Sequence, residues 1–181
     1  IVLGMGIPTI PNYIITSSIA APALLELGVP LIVSHMFVFY FGILADLTPP
    51  VALACFAAAP IARESGFKIS LEAIKVAAAG FVIPYMAVFT PALMLQTGGP
   101  LSEAIGFPLA VAYIVFKCLL AIGLWGVAVI GWLGYRLPIW QRLLAMAAAF
   151  TLVAALPLTD EIGFALTVLF GVIWWMKGKR T

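Results

Sequence analysis

Oxygen-bearing side chains gather at two places where this chain cannot remain helical. Gly4, Gly6, Thr9, Asn12, Thr16, Ser17 and Ser18 stand among Met5, Pro8 and Pro11, and a second group, Asp46 and Thr48, stands beside Pro49 and Pro50. A small hard cation such as Na⁺ is held by carbonyl, hydroxyl, amide and carboxylate oxygens, and helix breaks release carbonyls from their intrahelical partners. An anionic substrate suits instead the positive N-terminal end of a half-helix, such as an arm that starts near Asn12. One site could hold both.

The elements that position these residues must lie in lipid. Hydrophobic residues make up 65% of the chain and charged residues 9%, with a mean hydropathy of +1.21, whereas soluble domains carry about a quarter charged residues. This is the composition of an all-α integral membrane protein, in contact with membrane lipid. Backbone polar groups cannot stay unpaired in hydrocarbon, so breaks survive at membrane depth only when buried in protein or lining a solvated site. The net charge of +2 is too small to suggest nucleic acid, and the basic residues flank apolar runs instead of forming a patch. Cys55 and Cys118 both fall in apolar runs and read as unpaired. Ile1-Val2-Leu3 has neither a Met start nor a charged leader, which reads as a chain that begins in mid-protein.

Pro8 and Pro11 predict that a helix arriving from upstream stops near Met5 and that a second arm runs from Pro11 to a stop at Gly28. That arm is about 16 residues or ~24 Å long, short of the roughly 20 residues of a full span, so residues 1–28 read as a re-entrant hairpin. Residues 30–62 as one rod would be about 50 Å, against a hydrocarbon core of roughly 30 Å. Pro50 removes a backbone donor and pushes Pro49 out of the α region, dividing the rod into two half-helices at Asp46 and Thr48. Residues 71–95 read as a helix kinked by Gly80, Pro84 and Pro91. Thr97-Gly98-Gly99-Pro100 reads as a turn, followed by spans at 105–135, 139–158 and 162–176.

Lys and Arg alternate between connections. Arg63, Lys68 and Lys75, then Arg136 and Arg142, then Lys177, Lys179 and Arg180 mark one side, while the connections near Gly28, Gln96 and Leu158 carry none. The positive-inside rule then gives about five crossings and a cytoplasmic C-terminus. Neither the hairpin motif nor Asp-Leu-Thr-Pro-Pro recurs. Transporter sites of this kind lie between inverted halves, so the chain reads as one half with additional C-terminal spans and does not complete a site alone.

Hydroxyls and glycines in membrane helices also serve packing, and a single Pro makes only a kink. Two breaks together, one with a carboxylate at membrane depth, favour a functional reading of Asp46, because an ionisable group at the bilayer centre costs at least about 2.5 kcal/mol. Lys117 is deep in an apolar run but can snorkel or pair, and no break accompanies it. His35 reads as an interfacial polar residue, and Phe37, Phe39, Tyr40 and Phe41 read as packing. An intramembrane enzyme would need a nucleophile with a base, paired carboxylates or a metal cluster, and the scattered residues here offer none of these patterns. No resident cofactor is implied. A passive channel with a filter of broken helices and a non-catalytic assembly role for the last three spans are the competing readings.

GMGIPTIPNYIITSSIAAPALLELGVP followed by HMFVFYFGILADLTPPVALACFAAAPIA resembles the C-terminal half of the large membrane subunit of tripartite ATP-independent periplasmic (TRAP) transporters. More narrowly, it resembles the branch in which small and large membrane subunits are fused. Gly4-Met5, Pro22 and Thr48-Pro49-Pro50-Val51 are the strongest anchors, and the likeness covers residues 1–95. The resemblance implies an elevator-type transport domain in which residues 4–12 form the hairpin tip and residues 46–51 the unwound segment. Residues 96–181 would add transmembrane helices. It also implies uptake of organic acids across the inner membrane of a bacterium or archaeon. Na⁺ would be the coupling ion, substrate would come from an extracytoplasmic solute-binding protein, and the N-terminal half of the permease would be a partner. The implied cation and substrate residues are Gly4, Met5, Gly6, Pro8, Thr9, Asn12, Asp46, Thr48, Pro49 and Pro50. Gly4, Thr9, Asn12, Asp46 and Thr48 are the Na⁺ candidates among them. Many unfused members have an Asp where Pro8 stands and an apolar residue where Asp46 stands, so Asp46 is expected to restore that charge. Asp46 suits a proton carrier as well as a Na⁺ ligand, which leaves proton coupling as the alternative.

Overall fold

The computed structural model describes residues 6–154 and 158–178. The chain divides into two compact units, residues 1–96 and 97–181.

In the first unit, helix α1 (Thr9–Glu26) starts directly after Pro8. This corrects the expected start after Pro11. Pro11 lies within the first turn, where backbone N–H groups lack intrahelical partners and a missing donor costs nothing. Gly28, at φ +81°, ends the helix in a conformation that glycine adopts without a Cβ penalty. Gly28 N–H bonds Leu25 O at 2.9 Å and Val29 N–H bonds Leu24 O at 3.1 Å, the paired bonds of a Schellman cap. Pro30 then opens helix α2 (Leu31–Ala45), which packs back on α1. Asn12, Thr16 and Ala21 on α1 face Val33, Ser34, Val38 and Gly42 on α2, all of them buried. Most of these residues are small or slender, which allows the helix backbones to approach.

The rod is interrupted over residues 46–52, and helix α3 (Leu53–Ala62) resumes it. Arg63, at φ 52°, turns the chain, and Ser65 caps helix α4 (Gly66–Ala77) by accepting Lys68 N–H at 3.3 Å. The kinked helix expected over 71–95 is instead several pieces: α4, a 3-10 turn at Ala78–Phe81, helix α5 (Ile83–Phe89) and a 3-10 turn at Pro91–Met94. The Ser65 cap moves the start of α4 ahead of Leu71. Pro91 forces Thr90 into an extended conformation (φ −134°, ψ 84°) and so ends α5. Phe37 and Phe41 of α2 pack edge-on against Tyr85, with centroids 5.3 and 5.7 Å apart.

In the second unit, a short helix α6 (Pro100–Ile105) precedes α7 (Phe107–Ile130). The span expected to reach Tyr135 ends earlier, because Gly131 takes φ +71°. Trp132–Leu133 then pairs with Tyr135–Arg136 in a two-residue hairpin turned at Gly134, φ +74°. Helix α8 (Ile139–Val153) and helix α9 (Thr159–Gly178) complete the unit. α9 begins earlier than expected, and residues 155–157 of the expected 139–158 span lie outside the described residues. α8 packs against both α7 and α9. Its alanines, Ala145, Ala148 and Ala149, meet Ala121, Leu124, Ala128 and Phe170 in the core. Arg142 donates to Ala128 O at 2.7 Å and Val129 O at 2.8 Å, supplying the last carbonyls of α7 with donors and a favourable charge. α7 and α9 are long and apolar enough to cross a bilayer, while α2, α3 and α8 are shorter apolar helices. Cys55 and Cys118 are both free and buried.

Gly163 of α9 sits so close to α8 that an added Cβ would lie 2.8 Å from Leu152 Cδ2 and 3.0 Å from its backbone nitrogen, whereas Gly171 has nothing within 4 Å. Gly163→Ala is expected to destabilise the protein by about 1–3 kcal/mol through overpacking. Gly171→Ala should be neutral or stabilising by up to about 1 kcal/mol. Thermal unfolding of the detergent-solubilised permease checks the pair.

Candidate functional site

The first turn of α1 and the last turn of α2 meet through side chains. Thr9 and Asn12 are three residues apart, and Gly42 and Asp46 four, so each pair occupies one helix face. Thr9 Oγ1 donates to Asp46 Oδ2 at 3.3 Å, and Asn12 Nδ2 donates to the carbonyl of Gly42 at 3.0 Å. The second bond follows from how α2 ends. Asp46 N–H bonds Ile43 O at 3.1 Å, and the next two residues continue that tightened pattern to Leu44 and Ala45. Gly42 O is thereby one of the carbonyls a helix end releases, and Asn12 captures it. The approach is close: a Cβ on Gly42 would lie 3.3 Å from Asn12 Nδ2.

Two oxygens of this cluster are buried with no hydrogen-bond partner among the described residues, Asn12 Oδ1 and Asp46 Oδ1. Asn12 is 0% exposed. Both atoms are acceptors when the carboxylate is ionised. Buried acceptors of this kind are satisfied by a donor or by a cation, and an oxygen-only donor set fits a hard cation better than a soft one.

The other expected residues divide in their placement. Gly6, at φ +78°, lies beside the break, with Val51 Cγ1 3.7 Å from where its Cβ would be. Pro8 is exposed, and its carbonyl accepts Asn12 N–H at 3.0 Å. Thr48 Oγ1 turns back to Leu44 O at 2.6 Å. The Pro49–Pro50 peptide is cis. Several carbonyls of the break bond within the chain: Asp46 O accepts Ala54 N–H at 3.2 Å, and Thr48 O accepts Ala52 N–H at 3.1 Å. Each keeps a second lone pair. Ser17 and Ser18 bond the Ile14 and Ile15 carbonyls on an exposed face and do not join the cluster. Thr16 is buried, but its hydroxyl bonds Asn12 O at 2.7 Å. Gly4 and Met5 lie outside the described residues.

Sequence reasoning missed Gly42 and the partner of His35. Gly42 sits in an unbroken apolar run with no local signal beyond its being glycine. Its position one helical turn before Asp46 was the available clue. His35 shares a 2.8 Å hydrogen bond with Tyr13, linking α1 to α2 a turn away from the cluster.

Broken apolar helices that bring hydroxyl, amide and carboxylate oxygens together are characteristic of secondary transporter sites. The model of the family described as "Tripartite ATP-independent periplasmic transporter, DctM component" matches residues 1–101, and the chain belongs to this family. It is therefore part of a TRAP-type membrane transporter. No curated protein and no solved structure matches the chain.

Asn12→Ala leaves the Gly42 carbonyl buried without its donor and is expected to cost about 1–3 kcal/mol. Gly42→Ala crowds the same contact and should destabilise in the same direction. Ser17→Ala, on the exposed face, should stay within about 0.5 kcal/mol of the parent. Thermal unfolding in detergent compares the three.

Proposed function

We propose that this chain contributes half of the cation and substrate site of a TRAP permease that couples organic-acid uptake to Na⁺. The observation that carries the reading is the pair of buried acceptors, Asn12 Oδ1 and Asp46 Oδ1, without a hydrogen-bond partner among the described residues, at a helix break in an apolar chain. Thr9, Asn12 and Asp46 are the proposed cation-binding side chains, with Thr48 and the carbonyls around Gly4 and Gly6 adding oxygens. Pro8, Pro49 and Pro50 shape the backbone that presents them, and Met5 is a candidate by family resemblance. A cation bound there neutralises Asp46 and supplies a partner to both orphaned atoms, which strengthens the hold between α1 and α2. The first turn of α1, with its uncompensated N–H groups, favours the carboxylate of the substrate.

Family membership supports the remaining parts of the proposal. An extracytoplasmic solute-binding protein delivers the organic acid, the N-terminal half of the permease completes the site, and residues 1–95 move as part of an elevator-type transport domain. Residues 96–181 add membrane helices, giving about five crossings and a cytoplasmic C-terminus by the positive-inside rule. The permease resides in the inner membrane.

Uptake by the full-length permease in proteoliposomes, with its binding protein and a panel of labelled organic acids, tests this reading. Na⁺ gradients should drive accumulation above the external concentration. Asp46→Asn should lower the rate at least about tenfold or abolish Na⁺ dependence, as expected for a charge-assisted ligand. Accumulation driven by protons would make Asp46 a proton carrier, equilibration without accumulation would indicate a channel, and an unaffected variant would remove Asp46 from the site.

A further inference from the structure

Lys117 lies near the middle of α7, a 24-residue apolar helix, yet is only 5% exposed. Its ammonium group is paired with Asp160 Oδ1, in the first turn of α9. Tyr113, one turn before Lys117 on the same face, donates its hydroxyl to Asp160 Oδ2 at 2.6 Å. Both carboxylate oxygens are thus engaged, the two charges cancel, and the anion sits where the dipole of α9 favours it. α7 and α9 are separated in sequence by α8, so the pair joins helices that chain connectivity does not. α9 is also the less apolar of the two helices long enough to span. A buried lysine in a carboxylate transporter invites assignment to the substrate, but this one has its anion within the same compact unit.

We propose that Tyr113, Lys117 and Asp160 form a charge-neutral clasp that carries both ionised groups into the bilayer as a pair and fixes α9 against α7. Insertion of α9 then depends on Lys117, while transport draws on neither charge. Removing one partner leaves the other buried and uncompensated, whereas replacing both with apolar groups leaves nothing to neutralise.

The test uses the full-length permease carrying Thr181→Cys, labelled from each side of the membrane with an impermeant maleimide to report the side reached by the end of α9. Lys117→Met and Asp160→Leu should each reduce the correctly inserted fraction at least about tenfold. The double variant K117M/D160L and the charge swap K117D/D160K should return it to within about twofold of the parent, with concentrative uptake retained. Single variants that insert normally would overturn the proposal. So would the failure of both double variants to restore insertion, or a double variant that inserts correctly and has lost uptake.

Discussion

A carbonyl released at a helix end inside hydrocarbon must find a donor, because water is not there to supply one. Much of this structure follows from that requirement. Gly42 O is taken by Asn12, Ala128 O and Val129 O by Arg142, and Ala154 O by Thr159 at 2.7 Å. Each of these caps comes from another element of the chain, so ending a helix and packing it against a neighbour become one event. The candidate site is the case in which this capping leaves something over. Asn12 uses its amide donor on Gly42, and its carbonyl oxygen, like Asp46 Oδ1, is buried without a partner among the described residues.

The same economy governs charge. Lys117 and Asp160 are mutually neutralised, and Tyr113 completes the carboxylate's bonding. Asp46 receives a single hydroxyl bond from Thr9, and its other oxygen has no partner among the described residues. A satisfied pair and a half-satisfied carboxylate in similarly apolar surroundings imply different uses. The first stabilises an arrangement of helices, and the second remains available to something that comes and goes. Membership of the TRAP transporter family, shown over residues 1–101, places that half-satisfied carboxylate in a membrane transporter.

Local steric rules were legible in the chain wherever proline and glycine impose them. Pro49 and Pro50 announce the interruption between α2 and α3, Gly28 announces the end of α1, and the Gly98-Gly99-Pro100 turn precedes a new helix. Local rules also misled where a second local signal was overlooked. Pro11 suggests a delayed helix start, but in the first turn of α1 it interrupts nothing. Ser65 is the cap that starts α4 early, Gly131 ends the long span ahead of Tyr135, and Gly134 turns the hairpin that follows. Pro84 and Pro91, read as kinks, act as boundaries of short helices.

Composition and backbone sterics, which act within a few residues, determined from the sequence that this is a helical membrane protein with a break beside Asp46. They also placed Thr9, Asn12 and Asp46 among the residues able to bind. The tertiary structure alone decided which groups meet: Thr9 with Asp46, Asn12 with Gly42, and Lys117 with Asp160, separated by 37, 30 and 43 positions. Such pairings depend on which helix faces pack and at what depth, and rules that act within a few residues do not reach across 30 or more positions. The helix break already sets Asp46 apart from Lys117 in the sequence, but only the structure shows that Lys117 has a carboxylate partner while, among the described residues, Asp46 has no ion pair.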